Sequence, residues 1–292
     1  MPEDFSDRDG YDSLFLGDNF SVPMPGLGDH TADAFEPADA LPTDPFSLRY
    51  RRFSVILSKS RRFCRVSAVN INGEEPYWQI PRVGWRKDPR AEDYQEDDET
   101  LYGPDTFSRG HMVRRQDPLW GDKILAKQAN KDTFHLSNSV PQVQTFNAGL
   151  WGRLEDHILA EGKSKAGRLS VFTGPVFGDN DPLYVDGRIA VPLLFYKLVV
   201  AVSDGDELIA AAFVQSQEDV LPALMAGFDP GPFTPYQVSV ADLELLTGLS
   251  FGLEGADVFS GPQAAAAPRA VVQGAGGISG IPLKREEQVI FG

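Results

Sequence analysis

The chain has a single cysteine, Cys64, in 292 residues. That excludes an intramolecular disulfide framework and any zinc site built on several cysteines. Cys64 reads as a small residue inside a strand. No apolar run approaches the roughly 18 residues that span a bilayer. The first residues are acidic and lack a basic-then-apolar leader pattern. We therefore expect a soluble, cytoplasmic protein of a reducing compartment, with no membrane partner. Positive charge is also scarce, with 27 Lys and Arg against 42 Asp and Glu and a net charge of -15. Taken whole, that balance argues against a polyanionic partner. Its distribution does not: residues 1–47 carry net -10, residues 48–120 carry net +3 and the remainder net -8. Local field, more than net charge, decides whether a polyanion binds.

A hydrophobic fraction of 42% suits a globular chain with a substantial core. Residues 1–47 mix Asp, Pro, Gly and isolated aromatics without a sustained period, and are expected to be an acidic arm, disordered or extended, with the aromatics as short docking contacts. Arg52–Leu57 and Phe63–Ile71 are strand-like runs joined by a turn at Ser58–Arg61, which predicts an antiparallel hairpin. Asn72-Gly73 is a turn signal, and Pro76 to Tyr102 reads as loop, with a solvated charge cluster from Glu92 to Glu99. A short helix is expected over Lys123–Asn130 and a brief strand over Thr133–Leu136. Ser139-Val140-Pro141-Gln142 fits a capping box, opening a helix with the apolar stripe Val143, Phe146, Leu150, Leu154 and Ile158 and ending at Gly162. Further strands are expected at Ser170–Thr173, Ala190–Leu194, Lys197–Ala201 and Leu208–Gln215, and a helix capped by Ser239 that stops at Gly248. Residues 255–292, rich in Ala, Gly and Pro, are expected to form a loose tail. The pattern predicts one α+β domain over 48–254 with a central, largely antiparallel sheet flanked by helices.

The chemistry concentrates in Thr106–Arg115. His111 follows Gly110, with Arg109, Arg114 and Arg115 beside it. Glycine lets backbone approach a bound group. A histidine can take a proton near neutral pH. Arginines grip phosphate in a bidentate way. A basic surface turn with an incidental histidine is the competing reading. On the long helix, Asn147, Trp151 and Glu155 recur every four residues. The first would sit at the edge of the apolar stripe, and the last about 12 Å further along the axis.

Read together, Arg109-Gly110-His111, then Ser137–Gln142, then Asn147, Trp151, Arg153, Leu154 and Glu155, resemble the sugar-non-specific DNA/RNA endonucleases, the ββα-metal or His-Me finger nucleases. The likeness runs from about Phe53 to Leu249. It implies a ββα-metal fold and Mg²⁺-dependent hydrolysis of phosphodiester bonds in DNA and RNA, with Mn²⁺ as a substitute. In the family's terms His111 is the general base, Asn147 the one protein ligand of a hydrated metal, and Glu155 the acid that holds one of its waters. Arg109 lies near the phosphate, and Asn138 supports the site. Arg82 or Arg86 matches an upstream phosphate contact; Arg114, Arg115 and Arg153 are further candidates for holding substrate. Two positions depart from the family: Ser108 stands where Asp is usual, and Leu159 where some members carry Arg. The alternative function is a catalytically weak nucleic-acid-binding or regulatory protein that keeps the fold. The acidic arm could lie across the basic groove and compete with nucleic acid, or it could bind an inhibitor or controlling partner, and a homodimer is compatible with the resemblance. His30, His135 and His157 are expected to be structural.

Overall fold

The computed structural model describes residues 4–75, 78–103, 106–143, 146, 151–154, 156, 157, 167–218 and 234–291. Asn147 and Glu155, with most of the long helix expected after Val143, lie outside them.

Nine strands among the described residues form one sheet, in the order β1-β2-β3-β6-β9-β10-β11-β13-β12. These are β1 Leu48–Tyr50, β2 Phe53–Leu57, β3 Cys64–Asn72, β6 Arg168–Val176, β9 Leu194–Val202, β10 Leu208–Ser216, β11 Tyr236–Val238, β12 Ala270–Val271 and β13 Ser279–Pro282. Every neighbouring pair is antiparallel. The expected hairpin is β2–β3, with Phe53 opposite Val69 and Val55 opposite Ser67. Two further two-stranded pairings stand apart: β4 Ser108–His111 with β5 Ser139–Gln142, and β7 Leu183–Tyr184 with β8 Ile189–Ala190. Helix α1, Lys123–Asp132, is capped by Asp122, whose carboxylate accepts from the N–H of Ile124 and Leu125. Helix α2, Val240–Thr247, is capped by Ser239 and ends at Gly248 with φ 65°, the left-handed stop that glycine permits. The fold is α+β. No helix among the described residues is long and apolar enough to cross a membrane.

β9, Leu-Phe-Tyr-Lys-Leu-Val-Val-Ala-Val, is buried at every position. Its two faces belong to two different clusters. Phe195, Val199 and Phe213 pack with Met112, Val140, Phe146 and Trp151 of the layer that carries the Arg-Gly-His segment. Leu198, Val200 and Val214 pack with Leu16, Val22, Leu27 and Ala34, together with Leu243 and Phe251. The second face is thus covered in large part by the chain's first forty residues.

That overturns the expectation of a disordered arm. Residues 4–47 are tied to the sheet by backbone bonds: Gly10 N–H donates to the Tyr50 carbonyl at 2.9 Å and Phe35 N–H to the Leu57 carbonyl at 3.0 Å. Asn70 and Asp12 exchange two bonds. Arg8 grips Asp132 at 2.6 and 3.0 Å, both side chains being buried. The isolated aromatics are anchors, with Tyr11 against Phe172 and Phe15 against Trp120. The expected loose tail is corrected in the same way: β13 extends the sheet, and Phe291 is fully buried.

Two local expectations also fail. Thr133–Leu136 is a turn leading into a 3-10 segment at Leu136–Asn138. Ser139–Gln142 does not open a helix; it is β5. The Ser139 hydroxyl donates to the Leu136 carbonyl instead of capping. An N-cap contributes about 1 kcal/mol, less than pairing and burying a whole strand. Trp151–Arg153 is a 3-10 turn, and helix is present at Leu154.

Candidate active site

β4 and β5 pair with Ser108 opposite Gln142, Gly110 opposite Val140 and His111 opposite Ser139. The glycine of the Arg-Gly-His segment has a concrete reason. A Cβ there would lie 2.0 Å from Gln142 Oε1 and 2.3 Å from its Cδ, so the buried Gln142 side chain crosses the backbone where only glycine leaves room. The Ser108 hydroxyl donates to the Gln142 carbonyl at 3.0 Å. An ionised aspartate could not donate that bond, which gives Ser108 a local reason too.

Asn138 fixes the chain just past His111. Its Oδ1 accepts from Val113 N–H at 2.8 Å, its Nδ2 donates to the carbonyls of Val113 and Thr133, and its own carbonyl accepts from Met112 N–H. Asn138 is fully buried and does not line the cavity described next, so its reach into the site is indirect. Two glutamines on or just past β10 do similar work on the next segment. Gln217 accepts from Val143 N–H and donates to the carbonyls of Pro141 and Pro192, and Gln215 donates to the Phe146 carbonyl.

The His111 ring lies against Trp85, at 4.4 Å between centroids, and edge-on to Phe134 at 5.0 Å. Its Nε2 is buried and has no hydrogen-bond partner among the described residues. Burial, then the charges of Arg82 and Arg115, push its pKa down to about 3.

His111 opens on a cavity of 430 Å³. Arg82, Arg109, Arg114, Arg115 and Lys197 line it, and no Asp or Glu is among the lining residues described. Arg109 lies over the Tyr102 ring at 4.4 Å, and Arg82 over Phe134 at 5.5 Å. Arg115 donates to the Ile80 carbonyl and Asn130 Oδ1. Arg114 is the exception, tied to Asp117, Asp156 and the Gly152 carbonyl.

Of the two upstream arginines, Arg82 reaches the cavity. Arg86 donates to the Lys131 carbonyl and pairs its backbone with Phe134 and Leu136. Arg153 is also away from the cavity, exposed and paired with Glu286 at 3.0 Å. Sequence reasoning missed Lys197 and Thr173, which line the cavity from the central strands. A lysine inside the apolar run of β9 was the available signal, because a buried charge needs a reason. The other histidines have structural partners: His30 meets the Thr247 carbonyl, His135 stacks on Tyr50 and meets the Asp132 carbonyl, and His157 faces Glu286.

None of the arm's described residues lines this cavity. Three of its carboxylates are paired elsewhere: Asp9 with Arg51, Asp33 with Arg65 and Asp39 with Arg90. The arm's described residues therefore do not lie across this cavity, against the first of the two expectations for it.

The family profile of DNA/RNA non-specific endonucleases matches residues 30–257. The chain belongs to that family. A Sinorhizobium fredii relative, the uncharacterized protein y4fB, is 35% identical over 91% of this chain and 42% of its own length. Nuclease C1 of Cunninghamella echinulata is 30% identical over 60% of this chain and 68% of its own. Human mitochondrial endonuclease G is 28% identical over 57% and 55%. The chain thus spans less than half of the first of these relatives, and the family match takes in residues 30–47 of the arm expected to be separate.

Proposed function

We propose that this chain is an endonuclease that hydrolyses phosphodiester bonds of DNA and RNA with little sequence preference. One observation carries the reading: an imidazole held neutral, with its Nε2 unpartnered among the described residues, on a cationic cavity with no Asp or Glu among its described lining residues. Such a cavity suits a phosphodiester. Neutral His111 takes a proton from the attacking water. Arg109, Arg82 and Arg115 hold the phosphate and stabilise charge that builds on it. Trp85 and Phe134 fix the ring and keep bulk water from it.

The family implies a divalent metal. Among the described residues no cluster of three or more His, Cys, Asp or Glu could hold one. Walls of this composition fit a cation only through a neutral oxygen, and an amide ligand with retained waters is within the habits of Mg²⁺. Asn147 would be that ligand, and Glu155 would hold one of its waters. When bound, Mg²⁺ or Mn²⁺ would supply charge stabilisation on the phosphate and the leaving 3′ oxygen.

The test is nicking of supercoiled plasmid, and degradation of RNA, with Mg²⁺, with Mn²⁺ and with EDTA. Metal-dependent cleavage that is lost in Asn147→Ala supports the reading. A protein that binds plasmid but leaves it intact under every metal condition is the catalytically weak alternative.

A further inference from the structure

The catalytic cavity does not end at Arg82. That side chain also lines a second groove, of 570 Å³, between residues 80–83 and one face of α1. Lys127 and Lys131 bring positive charge to it, and Ile80, Val83 and Ile124 bring apolar surface. The lining described contains no Asp or Glu. The two lysines are four residues apart, hence on one helix face and about 6 Å apart along the axis. Both are exposed, and neither has a carboxylate partner among the described residues. The arm's Asp7, next to this face, is held by Gln128 and Arg51. Ile124 is 77% exposed and Val83 37%, so the apolar part is open surface. Exposed apolar side chains among unpaired cations mark an interface. Its continuity with the His111 cavity through Arg82 says which ligand runs along it.

We propose that this groove carries the phosphate backbone of the substrate strand flanking the scissile bond, with sugar and base edges against Ile80, Val83 and Ile124. The inference rests on the endonuclease reading above, and it adds which side of the cavity the strand leaves by. Lys127 and Lys131 contact phosphate and take no part in bond breaking. They govern how tightly a long substrate binds.

The test substitutes Lys127→Glu and Lys131→Glu together. The control pair, Lys59→Glu and Arg269→Glu, makes the same charge change outside both cavities. Binding of a labelled single-stranded oligonucleotide is measured by anisotropy across a salt series, in proteins that also carry His111→Ala. Removing each phosphate contact should weaken binding on the order of tenfold at 0.1 M salt and flatten the salt slope by about one. With His111 intact, KM for plasmid should rise while hydrolysis of bis(p-nitrophenyl) phosphate, which fits the catalytic cavity alone, stays at the parent rate. Parent-like affinity and slope in the double variant, or an equal loss in the control pair, overturns the proposal. So does displacement of a bound polyglutamate peptide with oligonucleotide binding unaffected. A parent protein that cleaves neither DNA nor RNA overturns the endonuclease reading, and that result is read apart from the binding comparison.

Discussion

Arg8 and Arg82 line the same groove and are used in opposite ways. Arg8 is buried and locked by two bonds to Asp132, itself fully buried. Burial pushes the Asp132 carboxyl pKa up even so, with Arg8 opposing it. Arg82 is exposed, lies over Phe134 and has no carboxylate partner among the described residues. The arginines of the arm's side, Arg8, Arg51 and Arg90, are spent on the chain's own acids. Arg82, Arg109 and Arg115, around His111, instead meet aromatic faces, carbonyls and an amide. Positive charge alone therefore does not mark where a polyanion binds. What marks it is positive charge that the fold leaves without a counterion. Arg114 shows the limit of reading this from position, since it lines the cavity yet is paired with Asp117 and Asp156.

The division can be broken by substitution, beginning at the residue with the largest expected effect. His111→Ala should lower cleavage by on the order of 10²–10⁴-fold while oligonucleotide binding stays near the parent value, because the arginines remain. Near-normal single-turnover cleavage would remove His111 from the chemistry. Arg8→Ala should destabilise by about 3–5 kcal/mol, the usual result of stranding one member of a buried pair. Denaturant unfolding reads it, and a loss under about 1 kcal/mol would mean that Asp132 finds another partner. Gly110→Ala drives a methyl into Gln142 and should cost about 1–3 kcal/mol. Adding Gln142→Ala should return part of that loss, a coupling a double-mutant cycle detects. Arg82→Ala should leave stability within about 0.5 kcal/mol yet weaken oligonucleotide binding, the reverse of Arg8→Ala. Equal effects on stability from the two arginines would dissolve the distinction.

The smallest expected effect is with pH. His111 has its folded pKa pushed down to about 3, below the ordinary value of about 6.5. Stability linked to its neutral form is complete above about pH 6.5 and is lost as pH falls toward about 3. The base itself stays neutral through that window. The acid limb of a pH–rate profile should therefore lie well below pH 6.5, with little change between about pH 6 and 8. A one-proton limb near pH 6.5 would show that the ring is more hydrated than its contacts with Trp85 and Phe134 imply.

Much of this was legible along the chain. The β2–β3 hairpin, α1 and the Ser239-to-Gly248 helix follow from alternation, capping residues and a left-handed glycine, all of which act within a few residues. The Arg109-Gly110-His111 motif is equally local. Low hydrophobicity and one-signed charge point to disorder in the arm only while the cover that the sheet's second face needs is left out. β9 held the clue: an antiparallel strand exposed on one face alternates, and this one does not. Ser139–Gln142 departs from its capping pattern because that pattern is a local preference of about 1 kcal/mol, whereas its strand depends on β4, some thirty residues away.

The sequence by itself determined the local elements, the family and the identity of the chemical groups, because those depend on neighbours along the chain. Tertiary structure alone decided which arginines are neutralised, that Arg82 and not Arg86 reaches the cavity, that Lys197 joins it from the sheet, and that a neutral histidine stands among cations. Charge pairing and desolvation act between residues far apart in sequence and a few ångströms apart in space, and only folding sets those distances.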